Sequence, residues 1–436
     1  MGCCQYYFPT EGGAGAFTVE MPRITFGRGV LDEVGERALG CGIRRAAVFT
    51  DPYLVSGEHF ARVRASLTAA GIDAAIFSEV RIEPTDRSIL AAADFLKDSD
   101  FDGVISVGGG SVMDTAKGAL VYATYPASFE TYFGPPVGAG QPLPGPVLPH
   151  VACPTTSGTG SEATGLSVIR FEALNTKFVF GSRYLLPKEA IIDPACTDTL
   201  PPTIVASTGF DLLSHAIECY TARAYTRWAK VVKPNARLMI QGANPWSDLH
   251  AREALRIAGA YLERGVADAS DHEARDSLSW GATLAGMAFG NTGTHLAHAL
   301  SYAVSQQARG FHPPDYPSSG GTFVPHGISV IVNAPSVFRY TATVAPERHL
   351  EAATCLRAET RDATPEDAGE VVATRIISLM KSTGVPNGIG GVGLKQVDAA
   401  ALAESAMRQR RAIGNAPRDT ALEDVQRIFE QAVAYW

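Results

Sequence analysis

Short apolar runs alternate with helical periodicity in the first half of the chain. Residues 46–50, 74–77 and 103–107 are apolar runs of strand length. Between them, residues 54–71 and 86–99 carry apolar side chains at helical spacing. This repeated strand–helix–strand order predicts a parallel sheet covered by helices.

The pattern changes near Pro201-Pro202. Beyond it, strand signals are few and six segments show helical periodicity: residues 204–222, 248–266, 271–289, 347–357, 364–383 and 395–409. We therefore predict an α/β, Rossmann-like N-terminal domain over residues 1–200 and an all-α C-terminal domain over residues 201–436. The Gly- and Pro-rich residues 134–148 are predicted to be a loop, because a strand-like run follows at once.

Composition and charge narrow the class of protein. The 436 residues carry a net charge of −8, and no long Lys/Arg run occurs, so a nucleic-acid partner is not expected. No apolar run reaches the ~20 residues of a membrane span. The seven cysteines show no C-x-x-C spacing, which favours a reducing compartment. Residues 1–13 resemble neither a signal peptide nor a presequence, so we predict a cytoplasmic location.

A glycine-rich turn follows the strand predicted at residues 103–107. That strand leads directly into Gly108, Gly109, Gly110 and Ser111. Glycines permit a positive φ and the close approach of a ligand to the backbone. A helix that starts at Ser111 would direct free N–H groups and its positive dipole end towards an anion. The turn predicts a pyrophosphate site, and the alternative is a tight turn in which Ser111 only caps the helix.

A second polar loop supports a nucleotide ligand. The strand-like residues 151–153 lead into P-T-T-S-G-T-G-S-E at residues 154–162, whose hydroxyls and amides suit a ribose and a nicotinamide. Asp51 ends an early strand, where it can accept a hydrogen bond from a ribose 2′-hydroxyl, which favours NAD over NADP. A turn or helix cap is the alternative role for Asp51.

Acidic and imidazole side chains recur in the helical half. Asp211 and His215 are four positions apart and share one helix face. His295 and His298 lie in another helical segment, and His326 follows Pro325. A carboxylate and three imidazoles can bind Fe²⁺ or Zn²⁺ and leave one position open. Hydrogen-bonded core histidines are the alternative.

The motifs, taken in order, resemble one known family. G-G-G-S-V-M-D-T-A-K, P-T-T-S-G-T-G-S-E, G-F-D-L-L-S-H-A-I-E, H-L-A-H-A-L-S-Y and V-P-H-G resemble the group III "iron-containing" alcohol dehydrogenases, which are related in fold to dehydroquinate synthase. The similarity runs from about residue 20 to the C-terminus. The hydroxyacid-oxoacid transhydrogenase branch is a closer match, through R-I-E-P-T-D, Q-G-A-N-P-W-S-D and P-E-R-H-L-E and through the 28 positions between His298 and His326.

The resemblance implies a ligand set and a cofactor. A metal, Fe²⁺ or alternatively Zn²⁺, would be held by Asp211, His215, His298 and His326. The nucleotide, NAD or alternatively NADP, would contact Asp51, Gly108, Gly109, Gly110, Ser111, Asp114, Thr155, Thr156, Thr159 and Lys177. Lys177 follows a turn and could meet a ribose hydroxyl. The family also implies a homo-oligomer.

One position departs from the broader family. Many of those dehydrogenases have a second histidine four residues after the third metal ligand, and here that position is Tyr302. His295 and Tyr302 lie one helical turn either side of His298, so either could transfer the proton. Packing and hydrogen bonding are the alternative roles for both.

The sequence therefore predicts a metal-dependent oxidoreductase that moves hydride between a small hydroxy acid or alcohol and NAD(P). As a transhydrogenase it would couple oxidation of 4-hydroxybutyrate to reduction of 2-oxoglutarate while the nucleotide stays bound. Such substrates need a cation for their carboxylates, and Arg237 is the first candidate. The alternatives are an NAD-dependent alcohol dehydrogenase that releases its cofactor at each turnover, and a non-catalytic nucleotide-binding protein.

Overall fold

The computed structural model describes residues 4–7, 10–317 and 321–436. The chain divides into two compact units, one of residues 20–198 and one that combines residues 199–436 with the N-terminal residues up to Val19. The predicted division assigned that N-terminal segment to the α/β domain. In the structure it packs on the helical unit, where Tyr6 donates a hydrogen bond to Asp248 and the amide of Thr18 donates one to Gln241.

The α/β unit is built on a six-stranded sheet. The strand order is β1-β8-β5-β4-β2-β3, and every pair of neighbouring strands is parallel. Its strands are β1 (Arg23–Phe26), β2 (Arg45–Phe49), β3 (Asp73–Phe77), β4 (Gly103–Gly108), β5 (His150–Pro154) and β8 (Glu189–Ile192). Its helices are α1 (Val34–Gly40), α2 (Glu58–Ala69), α3 (Asp86–Lys97) and α4 (Gly110–Thr124).

Both faces of this sheet are covered, as expected for parallel strands. All six residues of the central strand β4 are buried. Because successive side chains point to opposite faces, Val104 packs in the core cluster that includes α3 and α4, while Ile105 and Val107 pack in the cluster that includes α1 and α2. The glycine turn, residues 108–110, thus follows a rigid central strand.

A two-stranded antiparallel hairpin was not predicted. It consists of β6 (Leu166–Phe171) and β7 (Thr176–Gly181), with Arg170 opposite Lys177 in the register. Lys177 therefore lies on a strand, directly after the turn that the sequence indicated. The two charged residues interrupt otherwise apolar runs, which obscured the strand signal.

The second unit is helical. Its helices are α5 (Pro202–Thr221), α6 (Pro245–Ala267), α7 (His272–Thr292), α8 (Leu296–Gln307), α9 (His326–Ile331), α10 (Ala334–Ala342), α11 (Pro346–Cys355), α12 (Ala368–Ser382), α13 (Ala399–Ala406), α14 (Arg410–Gly414) and α15 (Leu422–Gln431). Within the described residues, no helix combines the length and apolar character that crossing a membrane requires. The predicted fold class, a Rossmann-like α/β unit followed by an all-α unit, is confirmed.

Candidate functional site

Three of the predicted metal ligands, all histidines, surround a carboxylate oxygen of the fourth, Asp211, in the helical unit. The ligand atoms of Asp211, His298 and His326 all lie within 4.8 Å of one another. Oδ1 of Asp211 lies 3.5 Å from Nε2 of His298, 3.7 Å from Nε2 of His326 and 3.8 Å from Nε2 of His215. Asp211 and His215 lie on adjacent turns of α5. His298 lies on α8, and His326 is the first residue of α9. The structure thus brings together side chains that are up to 115 positions apart in the sequence.

These side chains fit a divalent cation. Separations of 3.5–3.8 Å are too long for good hydrogen bonds. Among the described residues, Oδ1 of Asp211 and Nε2 of His298 are buried without a hydrogen-bond partner. Buried polar atoms almost always have partners, so donor atoms that converge without bonding each other are explained by an ion that bonds to all of them.

The charge of Asp211 supports this assignment. Burial alone would raise the pKa of its carboxyl group, but the imidazoles of His215, His326 and His298 hold that pKa well below its ordinary value. The carboxylate is therefore ionised and supplies one negative charge. A divalent cation bound there would keep a net positive charge for an oxygen-bearing substrate.

Glu218 completes the cluster and was not assigned a role from the sequence. It is fully buried on α5, and its Oε2 accepts a hydrogen bond from Nδ1 of His298. Its Oε1 accepts the backbone N–H groups of His295, Ala297 and His298 at 3.1, 2.7 and 3.3 Å. Burial opposes ionisation, yet these histidines lower the pKa of Glu218 to about 2. The bond at Nδ1 leaves Nε2 of His298 as the atom available to a metal.

The structure separates the two proton-transfer candidates. His295 is fully buried and is the N-cap of α8. Its Nδ1 accepts a hydrogen bond from the amide of Leu296 at 2.7 Å, and its Nε2 forms one with Oγ1 of Thr221 at 3.0 Å. Burial lowers its pKa to about 4. Because both ring nitrogens are occupied, the structure supports the hydrogen-bonding alternative for His295, and its relay role stays a prediction. The ring of Tyr302 instead stacks on His326, with centroids 6.1 Å apart.

In the α/β unit, the glycine turn packs against the hydroxyl loop, which we define as residues 154–162. A Cβ atom on Gly110 would lie 2.6 Å from Cγ2 of Thr159, and one on Gly109 would lie 3.3 Å from the side chain of Thr156. The amide of Thr155 donates to the carbonyl of Gly108 at 3.1 Å. None of Gly108, Gly109 and Gly110 has a positive φ. Close approach of the loop, and not left-handed backbone, therefore favours glycine at positions 109 and 110, whereas a Cβ on Gly108 would meet the side chain of Val112 at 2.4 Å.

A buried polar network holds the hydroxyl loop on α4. Asp114 accepts hydrogen bonds from Oγ of Ser161 at 2.9 Å and from the amide of Val168 at 3.0 Å. Nζ of Lys117 donates to the carbonyl and hydroxyl of Ser161 and to the carbonyl of Leu166. Burial raises the pKa of Asp114 to about 6 and lowers that of Lys117 to about 8. Both carboxylate oxygens of Asp114 thus bind the protein, and nucleotide contact by Asp114 stays a prediction.

Two further predicted residues have structural partners. Oδ1 of Asp51 accepts from the amides of Tyr53 and Leu54 at 2.8 and 3.0 Å, which is the turn role considered as its alternative. Arg237 donates to Oγ1 of Thr18 at 2.8 Å. The ribose contact of Asp51 and the substrate contact of Arg237 stay predictions.

Two protein-family models match this chain. Residues 22–194 match "Iron-containing alcohol dehydrogenase", and residues 237–433 match "Fe-containing alcohol dehydrogenase family, C-terminal". The chain belongs to the iron-containing alcohol dehydrogenase family. It is therefore a metal-dependent oxidoreductase, and the resemblance read from the motifs is confirmed.

Curated relatives identify the branch. The chain is 38% identical over 420 residues to the mitochondrial hydroxyacid-oxoacid transhydrogenase of Xenopus laevis, and this alignment covers 96% of the chain and 90% of the relative. The human protein of the same name is 39% identical over 420 residues, with the same coverage. A probable mitochondrial transhydrogenase of Dictyostelium discoideum is 37% identical over 435 residues and covers 97% of the chain and 80% of the relative. The chain thus belongs to the hydroxyacid-oxoacid transhydrogenase branch of the family.

Solved structures share the fold. A crystal structure of 1,3-propanediol oxidoreductase matches with a TM-score of 0.82 and 29% identity, over 96% of this chain and 100% of that chain. An alcohol dehydrogenase from Oenococcus oeni matches with a TM-score of 0.82 and 28% identity over the same shares. A sulfoacetaldehyde reductase from Bifidobacterium kashiwanohense, solved in complex with NAD⁺, matches with a TM-score of 0.78 and 25% identity over 96% and 99%.

The relatives overturn the predicted location. The transhydrogenases of Xenopus laevis, cattle, human and Dictyostelium discoideum are all named mitochondrial, so the cytoplasmic prediction is wrong. That prediction relied on the composition of residues 1–13 alone.

Proposed function

We propose that this chain is a hydroxyacid-oxoacid transhydrogenase. It oxidises a small hydroxy acid such as 4-hydroxybutyrate to the aldehyde acid and reduces an oxo acid such as 2-oxoglutarate to the hydroxy acid. The observation that carries the proposal is the convergence of His215, His298 and His326 on Asp211 within a chain 38–39% identical to transhydrogenases. The reaction balances without net consumption of nucleotide or protons.

The proposed cofactors are NAD and Fe²⁺. NAD⁺ accompanies a structural relative, and the family description names iron. One carboxylate and three imidazoles also suit Zn²⁺, so the ligand set allows either metal. When bound, such a metal would supply Lewis-acid polarisation of the substrate oxygen.

Side chains of the protein are proposed to balance charge, orient a metal ligand and transfer the proton. Asp211 balances only one charge of a divalent ion, and Glu218 fixes the ring of His298 in the tautomer that presents Nε2. The hydroxyl of Tyr302, beside His326, is proposed to relay the proton that the substrate hydroxyl loses: its oxygen takes up that proton while its own O–H proton passes on to water. When bound, the nicotinamide would supply the acceptor for the hydride on the carbon that bears this hydroxyl group.

The nucleotide is proposed to lie across the glycine turn and the hydroxyl loop. Its phosphates would meet the free N–H groups at the start of α4, and its ribose and amide would meet Thr155, Thr156 and Thr159. Arg237 remains the proposed partner of a substrate carboxylate. We also expect a homo-oligomer, as in the family.

Product analysis tests the proposal. Purified, metal-loaded protein is incubated with 4-hydroxybutyrate, with and without 2-oxoglutarate, and with and without added NAD⁺. A transhydrogenase forms succinic semialdehyde and 2-hydroxyglutarate in equal amounts, and it does so only when both acids are present, with little free NADH. Release of one NADH per hydroxy acid oxidised, independent of 2-oxoglutarate, would identify an alcohol dehydrogenase that exchanges its cofactor.

A further inference from the structure

Glu83 has an unusual backbone conformation. Its φ is +59°, and within the described residues only Asn175 and Arg357 share a positive φ among residues other than glycine. A side chain with a Cβ atom is strained in this left-handed region. Pro84 follows directly, and a residue before proline is restricted further. Such strain persists where neighbouring structure enforces it, and it is common at functional sites.

The neighbouring structure does enforce it. The carbonyl of Pro84 accepts a hydrogen bond from the amide of Arg170 on β6 at 2.9 Å, and Thr85 forms a parallel β-bridge with Arg170. Thr85 is also the N-cap of α3, where it accepts from the amide of Ser88. The segment that directly follows the strained residue is therefore fixed by the hairpin and by α3.

The left-handed turn directs Glu83 towards two residues of the proposed nucleotide site. Its amide donates to Oγ of Ser111 at 3.1 Å, in the first turn of α4 after the glycine turn. Its carboxylate meets Nζ of Lys177 on β7 at 2.5 Å. Oε2 lies 3.8 Å from a guanidinium nitrogen of Arg170. One residue thus contacts two elements that were each predicted, independently of Glu83, to hold the cofactor.

The geometry points to Glu83 as a positioning residue of the nucleotide site, an inference that rests on the proposed function. Its backbone N–H fixes the hydroxyl of Ser111, and its carboxylate fixes the ammonium group of Lys177. A lysine stem has four rotatable bonds and loses considerable entropy when its end is held. Because Glu83 holds that end before the nucleotide arrives, less of this entropy is lost on binding.

A loop residue with no role beyond folding would respond differently to substitution. Glu83→Gly relieves the strain in the left-handed backbone and removes the contact with Lys177. A purely structural role for the contact predicts a change in stability without a change in nucleotide affinity. The positioning role predicts weaker nucleotide binding in a protein whose thermal midpoint is not lowered.

The experiment is a calorimetric titration of the metal-loaded full chain with NADH, after removal of any bound nucleotide, alongside thermal unfolding. We expect the dissociation constant for NADH to rise about tenfold in Glu83→Gly, the order of the conformational entropy of one lysine side chain that binding would then have to restrict. Glu83→Gln keeps an acceptor for Lys177, so its increase is expected to be a few-fold. Arg357→Gly is the matched control, because Arg357 is exposed and also left-handed, with φ +63°. It should leave the affinity for NADH unchanged.

The outcomes are distinct. Wild-type affinity in Glu83→Gly, or tighter binding in both Glu83 variants because a negative charge has been removed, would overturn the positioning role and leave the nucleotide site intact. Failure of the wild-type protein to bind NADH would instead overturn the proposed function and this inference with it. If Glu83→Gly does not fold, a wild-type affinity in Glu83→Gln combined with full stability would equally contradict the inference.

Discussion

Glu218 and His298 form a buried carboxylate–imidazole pair, in which Nδ1 of His298 donates to Oε2 of Glu218. The other oxygen of Glu218 accepts three backbone N–H groups at the start of α8. One carboxylate therefore caps the helix that carries a proposed metal ligand and sets the tautomer of that ligand. A change at Glu218 should alter metal binding without touching the metal itself.

We predict that Glu218→Gln weakens metal affinity by about 10–100-fold. Glutamine has the same shape as glutamate, but its NH₂ group would donate a hydrogen bond to Nδ1 of His298. The ring would then carry its proton on Nε2, the atom proposed to bind the metal. Competition with a chelator of known affinity measures the effect. Glu253→Gln, at an exposed position on α6, is the control and should bind metal as the wild type does. Equal affinity in both variants would contradict the role assigned to Glu218.

We predict that Tyr302→Phe lowers kcat by about 10²–10⁴-fold, the usual contribution of a positioned group that transfers a proton. The ring and its stacking on His326 remain, so metal content and thermal stability should stay near wild type. Steady-state kinetics with metal analysis provides the test. A kcat within a factor of about two of wild type would exclude Tyr302 from proton transfer.

His295→Asn should behave in the opposite way. Asparagine is a favourable N-cap, but it cannot span the distance to Thr221, so we expect a loss of about 1–3 kcal/mol in the free energy of unfolding. The kcat of the folded variant should change little, because His295 caps α8 and does not transfer the proton. Denaturant unfolding and initial rates measure the two effects. A large loss of kcat with unchanged stability would restore the relay role.

Lys117→Met should destabilise the α/β unit strongly. It removes the ammonium group that Oγ of Ser161 links to the buried carboxyl group of Asp114, and it leaves the buried carbonyl groups of Ser161 and Leu166 without their donor, each at a cost of about 1–3 kcal/mol. Adding Asp114→Asn removes the unpaired charge, so the double variant should recover part of that loss. A double-mutant cycle in denaturant quantifies the coupling. Strictly additive effects would show that the two side chains do not act as one network.

Gly110→Ala should weaken NADH binding. The new Cβ would lie 2.6 Å from Cγ2 of Thr159 and would force the hydroxyl loop away from the glycine turn. Gly110→Ala combined with Thr159→Ser removes that methyl group and should restore part of the affinity. Gly40→Ala, where a Cβ meets nothing within 4 Å, is the control. The affinity of each variant for NADH is measured by titration. If all three variants bind NADH as tightly as the wild type, the nucleotide does not bind at this turn.

Elements with one clear periodicity could be predicted from the sequence. The buried strand β4 and the long helix α5 each follow a single pattern, and both lie close to the predicted positions. The hairpin of β6 and β7 was missed because Arg170 and Lys177 are paired across it, a relationship that only the folded register reveals. Local pattern carries no information about such pairing.

The candidate site, too, could be predicted only where spacing within one helix indicates it. The acid–imidazole spacing of Asp211 and His215 marks one helix face, and this led to the metal proposal. Glu218 continues that face, but its role depends on α8, which no spacing within α5 can indicate. The sequence also placed His295 on the same helix face as His298, because the two are three positions apart. In fact α8 begins at Leu296, and the backbone of His295 is not helical.

The central claim is that Asp211, His215, His298 and His326 hold one divalent metal. Anomalous diffraction from crystals of the purified protein, recorded on both sides of the iron and zinc absorption edges, tests it most directly. We predict a single strong peak about 2.0–2.2 Å from Oδ1 of Asp211 and from Nε2 of each of the three histidines. No peak among these four side chains in metal-replete protein, or a peak bound elsewhere, would contradict the account.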